Sequence, residues 1–263
     1  MTTPLDPGLG LSQPEPEPEP QPEASPSVQR RRPRGVPFIA LITLGAVVLI
    51  VAGLASLGRE LTRSATPAEA AAALQREIAT RWERLPAGKI FPATVNYSDS
   101  EGTTLVARLV GIAPPASCRA ALEPASYALV RGRGCVTILR ATYVDASGAL
   151  ASTVGVAVLK SPAAATQAAS IAGVLGPGDG LHAVTFDGTI ASQFGDAARG
   201  AQGAVGTGPY LFLYTAGFTD GLPGTAAAAQ EEQLNAFGNG VDTGLQGALT
   251  DHGKPCDMKD IKC

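Results

Sequence analysis

The sequence predicts an α+β domain, with a mainly antiparallel sheet covered by helices, placed after a single transmembrane helix. Three observations predict it. Residues 36–58, VPFIALITLGAVVLIVAGLASLG, carry no charge. An apolar run of about 20 residues is long enough to cross a hydrocarbon core as a helix. Downstream, runs rich in β-branched residues meet at short polar turns, as hairpin strands do. Among them stand two hydroxyl–proline helix starts, Thr66-Pro67 and Ser161-Pro162. Strands joined by hairpins and mixed with helices belong to the α+β class.

Four regions follow. Residues 1–35 form a disordered, Pro/Glu-rich tail ending in a basic cluster, and 36–58 form the membrane span. Residues 59–65 are a short linker, and 66–263 are about the size of one domain. The tail contains PEPEPEPQPE at 14–23, which favours polyproline II and has too little apolar surface to fold alone. It serves as a solvated spacer or as a docking strip for a cytoplasmic partner.

Arg30, Arg31, Arg32 and Arg34 directly precede the span, whereas Arg59 and Arg63 beyond it are partly offset by Glu60. Cationic flanks stay cytoplasmic. The expected topology is therefore a cell-membrane protein with a cytoplasmic N-terminus and an extracytoplasmic C-terminal domain. The same arginines can hold anionic lipid head groups. A cleaved secretory signal, with AGLAS at 52–56 as the cleavage region, is the competing expectation. The long polar leader and the length of the apolar run argue against it. Ala52 and Ser56 also form a small-xxx-small pair of the kind that lets two spans approach.

Cysteine usage agrees with an oxidising compartment. Cys118, Cys135, Cys256 and Cys263 all lie beyond the span, and an even set there suggests two disulfides. Four cysteines allow three pairings, of which proximity favours Cys118–Cys135 and Cys256–Cys263.

Beyond residue 58 remain 16 basic and 18 acidic side chains. No basic surplus marks a nucleic-acid binder. Alanine and glycine are abundant, lysine is scarce and arginine supplies most of the cationic charge. In this composition, and in the order tail, arginines, span, domain, the chain resembles single-pass envelope proteins of high-GC Gram-positive bacteria. The resemblance implies an envelope location and carries no activity with it.

Within the domain, Thr66, Pro67 and Glu69 make a capping box for a helix running to about residue 85. Ala71, Leu74, Ile78, Trp82 and Leu85 share one face at helical spacing, which makes Trp82 a core residue. Glu77 and Arg81 pair on the other face. Pro86 and Gly88 end the helix. Strands are expected at 90–97 and 104–112 around the turn at 98–102, with Pro114 and Pro115 stopping the second. A short helix at 116–122 and a turn near 126–130 follow. The clearest hairpin joins 136–144 to 150–160 through Asp145-Ala146-Ser147-Gly148. In its second strand Val154, Val156 and Val158 face a core while Gly155 and Ala157 allow close packing behind. An alanine-rich helix runs from Pro162 to about 174 and breaks at 176–180. Short strands are expected at 181–186 and 189–194, a loop at 200–208, and a central strand at 210–218. A last helix at 225–237 is interrupted by Gly238 and Gly240, with a weak amphipathic continuation through Val241, Leu245 and Leu249.

Candidates for chemistry are few. His182, with Asp179 three residues before it, can form a general acid/base pair, but no G-x-S-x-G elbow accompanies it. His252, Cys256, Asp257 and Cys263 are metal-ligand types at a spacing unlike zinc patterns. The GAQGAVGTG run at 200–208 lacks the lysine and hydroxyl of a phosphate loop. Arg119, Arg131 and Arg133 would gather around a Cys118–Cys135 bridge and offer a cationic patch to an envelope polymer or an acidic partner. Arg108 and Arg140, mid-strand, must each find a carboxylate or solvent.

No catalytic residue, cofactor or metal is assigned. The expected partners are the lipid bilayer and an envelope protein or polymer, without nucleic acid. The expected function is a non-enzymatic interaction or ligand-sensing module of the cell envelope. The competing expectation is an envelope hydrolase built around His182.

Overall fold

The apolar run forms one continuous helix, α1 (Val36–Thr62), so its last turn extends past Gly58 into the expected linker. The computed structural model describes residues 36–172, 179–223, 228–251 and 253, with side chains from residue 40 onward. The tail with Arg30, Arg31, Arg32 and Arg34, the 173–178 breaker, and His252, Cys256 and Cys263 lie outside the described residues. Within α1, the most apolar 18 residues of Ala40–Thr62 have a mean hydropathy of 2.5, and none of them is buried. The chain from Arg63 onward forms a separate compact unit.

That unit starts with α2 (Pro67–Arg84), closed by the expected capping box. The Thr66 hydroxyl accepts from the Glu69 amide, and the Glu69 carboxylate accepts from the Thr66 amide. The Arg63 guanidinium bonds the same carboxylate at 2.7 Å and, with Thr66, holds its pKa down at about 2. A four-residue helix, α3 (Ala87–Ile90), replaces the start of the first expected strand. Its turn closes on the carbonyls of Pro86 and Ala87, which buries Ile90 and Phe91, and Pro92 delays the strand.

Six strands follow: β1 (Thr94–Ser98), β2 (Thr104–Ala116), β3 (Thr137–Val144), β4 (Leu150–Val158), β5 (Arg199–Thr207) and β6 (Tyr210–Phe218). They form one antiparallel sheet in the order β1-β2-β3-β4-β6-β5. Contrary to expectation, Pro114 and Pro115 do not stop β2. The β1 ladder ends at Arg108, so β2 is an outer edge beyond it, and the register shifts between Ala113 and Ala116. Prolines lacking N–H donors are tolerated at such a place.

The glycine-rich stretch expected as a loop at 200–208 is instead β5. Its glycines answer to close neighbours. A Cβ on Gly203 would lie 2.4 Å from the Tyr214 ring, and one on Gly206 would lie 2.7 Å from the Ala165 carbonyl oxygen. The two strands expected between 181 and 194 do not form. Leu181 makes a single bridge to Leu122, and residues 187–193 are turns. Residues 179–186 lie instead as an extended strap over one sheet face.

Helices cover both faces. On the strap side lie α4 (Cys118–Ala121), α5 (Pro124–Arg131) and α6 (Pro162–Ala172), packed with Leu181 on Ile138, Ala157, Leu211 and Leu213. Gly155 belongs to this side, since a Cβ there would strike Leu181 at 2.9 Å. The other face is covered by α2, α3 and α7 (Ala228–Thr250) over a larger core that contains Val154, Val156 and Val158. Trp82 packs at the margin of that core.

The last helix is one element of 23 residues, not two. Gly238, Gly240 and Gly244 do not interrupt it because their bare Cα positions face the sheet. Cβ atoms there would lie 2.3 Å from Tyr214, 2.7 Å from Tyr97 and 2.4 Å from Val95. Each glycine costs about 1 kcal/mol of helix propensity relative to alanine, which packing at short range offsets. Gly240→Ala is therefore expected to destabilise by about 1–3 kcal/mol although it improves propensity; equilibrium chemical unfolding measures it.

α7 also buries Asp242. Its Oδ1 has no partner among the described residues, and burial, only partly opposed by Gln246, pushes its carboxyl up to about 8. A carboxyl whose folded pKa is raised favours the folded state most at low pH. That advantage is lost as pH rises from the ordinary carboxyl range through the raised value. Asp242→Asn is expected to flatten the fall in melting temperature between about pH 5 and about pH 8. At the upper end it should gain about 2–4 °C for each kcal/mol recovered.

Candidate functional site

The functional types that come together sit where the strap meets the loop between α4 and α5. Ser117 caps α4 through the Ala120 amide, and Cys118 is joined to Cys135 with Cα atoms 6.3 Å apart. After α4 the chain pairs with the strap. The His182 amide donates to the Ala121 carbonyl at 2.9 Å, and the Glu123 amide donates to the Gly180 carbonyl at 3.0 Å. Glu123 stands at the N-cap of α5 but makes no side-chain cap bond, so its carboxylate can turn to the strap.

A short 3₁₀ turn, Asp196–Ala198, brings the third group. Asp196 Oδ1 accepts from the Ala183 amide at 2.8 Å, while Oδ2 meets His182 Nδ1 at 2.7 Å. His182 Nδ1 is 3.5 Å from Glu123 Oε1. Arg199, at the start of β5, closes the group from below with a side chain only 9% exposed. Its Nη2 donates to Glu123 Oε1 at 2.7 Å, its Nη1 to the Leu181 carbonyl at 3.2 Å and its Nε to the Asp196 carbonyl at 3.0 Å. Two carboxylates thus face one guanidinium and one imidazole. A carboxylate on Nδ1 orients the ring and leaves Nε2 for other partners.

The expected acid for His182 is not the observed one. Asp179 takes part through its backbone carbonyl, which accepts the Ser126 hydroxyl. Asp196 and Glu123 take its place. Spacing shows neither: Asp196 lies 14 residues after His182 and Glu123 59 residues before it. The only hint was Glu123-Pro124, a helix-start dipeptide with an acid at the cap.

Arg119 and Arg131 are exposed, whereas Arg133 is half-buried and donates to the Leu129 carbonyl. Arg108 reaches the Ala146 carbonyl at 2.9 Å. Among the described residues Arg140 finds no carboxylate: it is half-buried, desolvation lowers its pKa, and its Nε is without a partner. On the α7 side, an open cleft of about 570 Å³ is lined by Ser100, Tyr214, Glu231, Glu232, Asn235 and Asn239. Tyr214 donates to Asn235 Oδ1 at 2.9 Å there.

The fold and the site define a helix-covered antiparallel α+β domain carrying a His–carboxylate–Arg cluster. Comparison of the chain with protein-family models, curated proteins and solved structures finds no match.

Removing Arg199 leaves two carboxylates facing each other without their cation. Arg199→Met is expected to lower the unfolding free energy by about 2 kcal/mol. That is less than the 3–5 kcal/mol of a fully buried pair, because Asp196 and Glu123 keep solvent contact. Denaturant titration beside the wild type reads the difference.

Proposed function

We propose that this chain is a single-pass membrane protein whose C-terminal domain acts outside the cell membrane as a non-enzymatic interaction or ligand-sensing module of the envelope. The observation that carries the reading is α1, a continuous apolar helix with a candidate span at Ala40–Thr62, long enough for a hydrocarbon core. The arginine cluster before it supports a cytoplasmic tail by the positive-inside rule. The Cys118–Cys135 pair supports an oxidising compartment. An envelope protein or polymer is the expected partner class. The proline-rich tail offers a route by which occupancy of the domain reaches the cytoplasm.

One observation favours a second reading, an envelope hydrolase. His182 Nδ1 is held by Asp196 at 2.7 Å, the orientation a general base needs. Activity on envelope substrates that survives His182→Ala removes that reading.

The membrane reading predicts that full-length protein stays in the membrane fraction through alkaline carbonate extraction. Protease added to intact spheroplasts should cut the domain but spare an epitope placed in the tail. Release by carbonate overturns the anchor, and a protected domain overturns the orientation. In-cell crosslinking then compares the full chain with a form lacking residues 1–29. A partner captured by both places the function in the domain; a partner lost with the tail moves it to the tail.

A further inference from the structure

With His182 neutral, as a metal ligand must be, the cluster between the strap and the 3₁₀ turn carries one uncompensated formal negative charge. Glu123 and Asp196 bring two negative charges, and Arg199 returns one. One further cation balances the group, and the geometry is suited to a metal ion. One ligand atom from each of Glu123, His182 and Asp196 lies within 4.8 Å of the other two. In a tetrahedral zinc site with metal–ligand bonds near 2.0–2.2 Å, ligand atoms stand about 3.3–3.6 Å apart. The His182–Glu123 separation, 3.5 Å, falls in that range, and the His182–Asp196 separation, 2.7 Å, is a hydrogen bond that the ion would replace by opening it less than about 1 Å.

The donors are also supported as metal ligands usually are. Asp196 is oriented by the Ala183 amide, and Glu123 by the Arg199 guanidinium, so each carboxylate has an outer partner that fixes its direction. The three donors come from a helix cap, a bridged strap and a 3₁₀ turn. These segments are held by backbone hydrogen bonds, so the ligand positions do not depend on side-chain packing alone. His182 is 30% and Asp196 43% exposed, which leaves a face open to solvent for a water ligand and for entry of the ion.

We propose that Glu123, His182 and Asp196 bind a divalent transition-metal ion of the zinc class, with Arg199 as the outer-sphere partner of Glu123. One imidazole and two carboxylates suit zinc and its neighbours. Magnesium and calcium prefer all-oxygen shells with more ligands. Arg199, outside the ligand shell, offsets one of the two carboxylate charges. The inference concerns the domain alone and stands whether or not the proposed orientation in the membrane is right.

The test uses full-length protein in detergent micelles, stripped with a chelator and titrated with Zn²⁺ alone. Calorimetry reads stoichiometry and affinity; thermal unfolding reads stabilisation. The expected result is a Zn²⁺-dependent rise in melting temperature that Mg²⁺ at the same concentration does not give. Affinity should fall more than about 10-fold in His182→Gln and in Asp196→Asn. Circular dichroism without metal checks that each variant folds, and if one does not, the other decides. No Zn²⁺-dependent rise overturns the proposal. So does an equal rise with Mg²⁺, or unchanged affinity in a folded variant, which would move the ion elsewhere, for example to His252 and Cys256.

Discussion

The close seating of α7 on the sheet is the contact on which the rest of the domain depends. The sheet face beneath it carries Tyr97, Tyr143, Tyr210, Phe212 and Tyr214, all buried. A helix with ordinary side chains along that stripe would stand off these rings and leave them wet. Gly238, Gly240 and Gly244 remove the obstruction, and Leu234, Phe237, Val241, Leu245 and Leu249 fill the space on either side. Tyr97 and Phe237 then meet edge to face with centroids 5.1 Å apart. Three of the four phenol groups find acceptors at the rim: Tyr143 at the Pro92 carbonyl, Tyr214 at Asn235 and Tyr210 at the Ile78 carbonyl. Through these bonds the same seating fixes α2 and α3. Among the described residues, this burial leaves Asp242 Oδ1 and the Ser152 hydroxyl on β4 without a partner.

The opposite face follows a different rule. Its centre carries polar residues, Thr142 on β3 and Thr153 on β4, whose hydroxyls meet at 2.9 Å with neither exposed to water. Buried hydroxyls need partners, and the strap supplies them. Thr142 donates to the Val184 carbonyl at 2.7 Å, and Thr153 accepts from the Val184 amide at 2.9 Å. The strap is therefore held by polar bonds in the middle of an otherwise apolar layer. Its direction is set on one side by the Leu122–Leu181 bridge and on the other by Phe186, which lies against Gly111. His182 is carried between these points. The position of the cluster is thus a consequence of two threonines on the sheet and not of any local motif.

This division explains what could be read from the chain and what could not. Local rules were legible. The capping box at Thr66, the Asp145–Gly148 hairpin with Gly148 at φ 78°, the Ser161 cap and the alternation of Val154, Val156 and Val158 all rest on neighbours a few residues away. Three of the departures share a cause: glycine or proline reads as a break at 200–208, at Gly238 and Gly240, and at Pro114–Pro115. In each place a distant partner makes the small or donor-free residue suitable: Tyr214 and the α6 backbone for β5, Tyr97 for α7, and the bare outer edge of β2. The site was half legible. His182 was visible as a rare residue, but its partners Asp196, Glu123 and Arg199 are assembled by tertiary contacts that spacing does not encode.

The brace between α2 and α7 bears on how the domain would carry tension. The Arg81 guanidinium donates to the Asp251 carbonyl at 2.9 Å, tying the first long helix of the domain to the end of the last. The brace joins the last turn of α2 to the residue that follows α7, so the C-terminal ends of the two helices are fastened to each other. A pull on the chain beyond residue 251 therefore meets this bond and the seat of α7 on the sheet before it reaches the strand ladders.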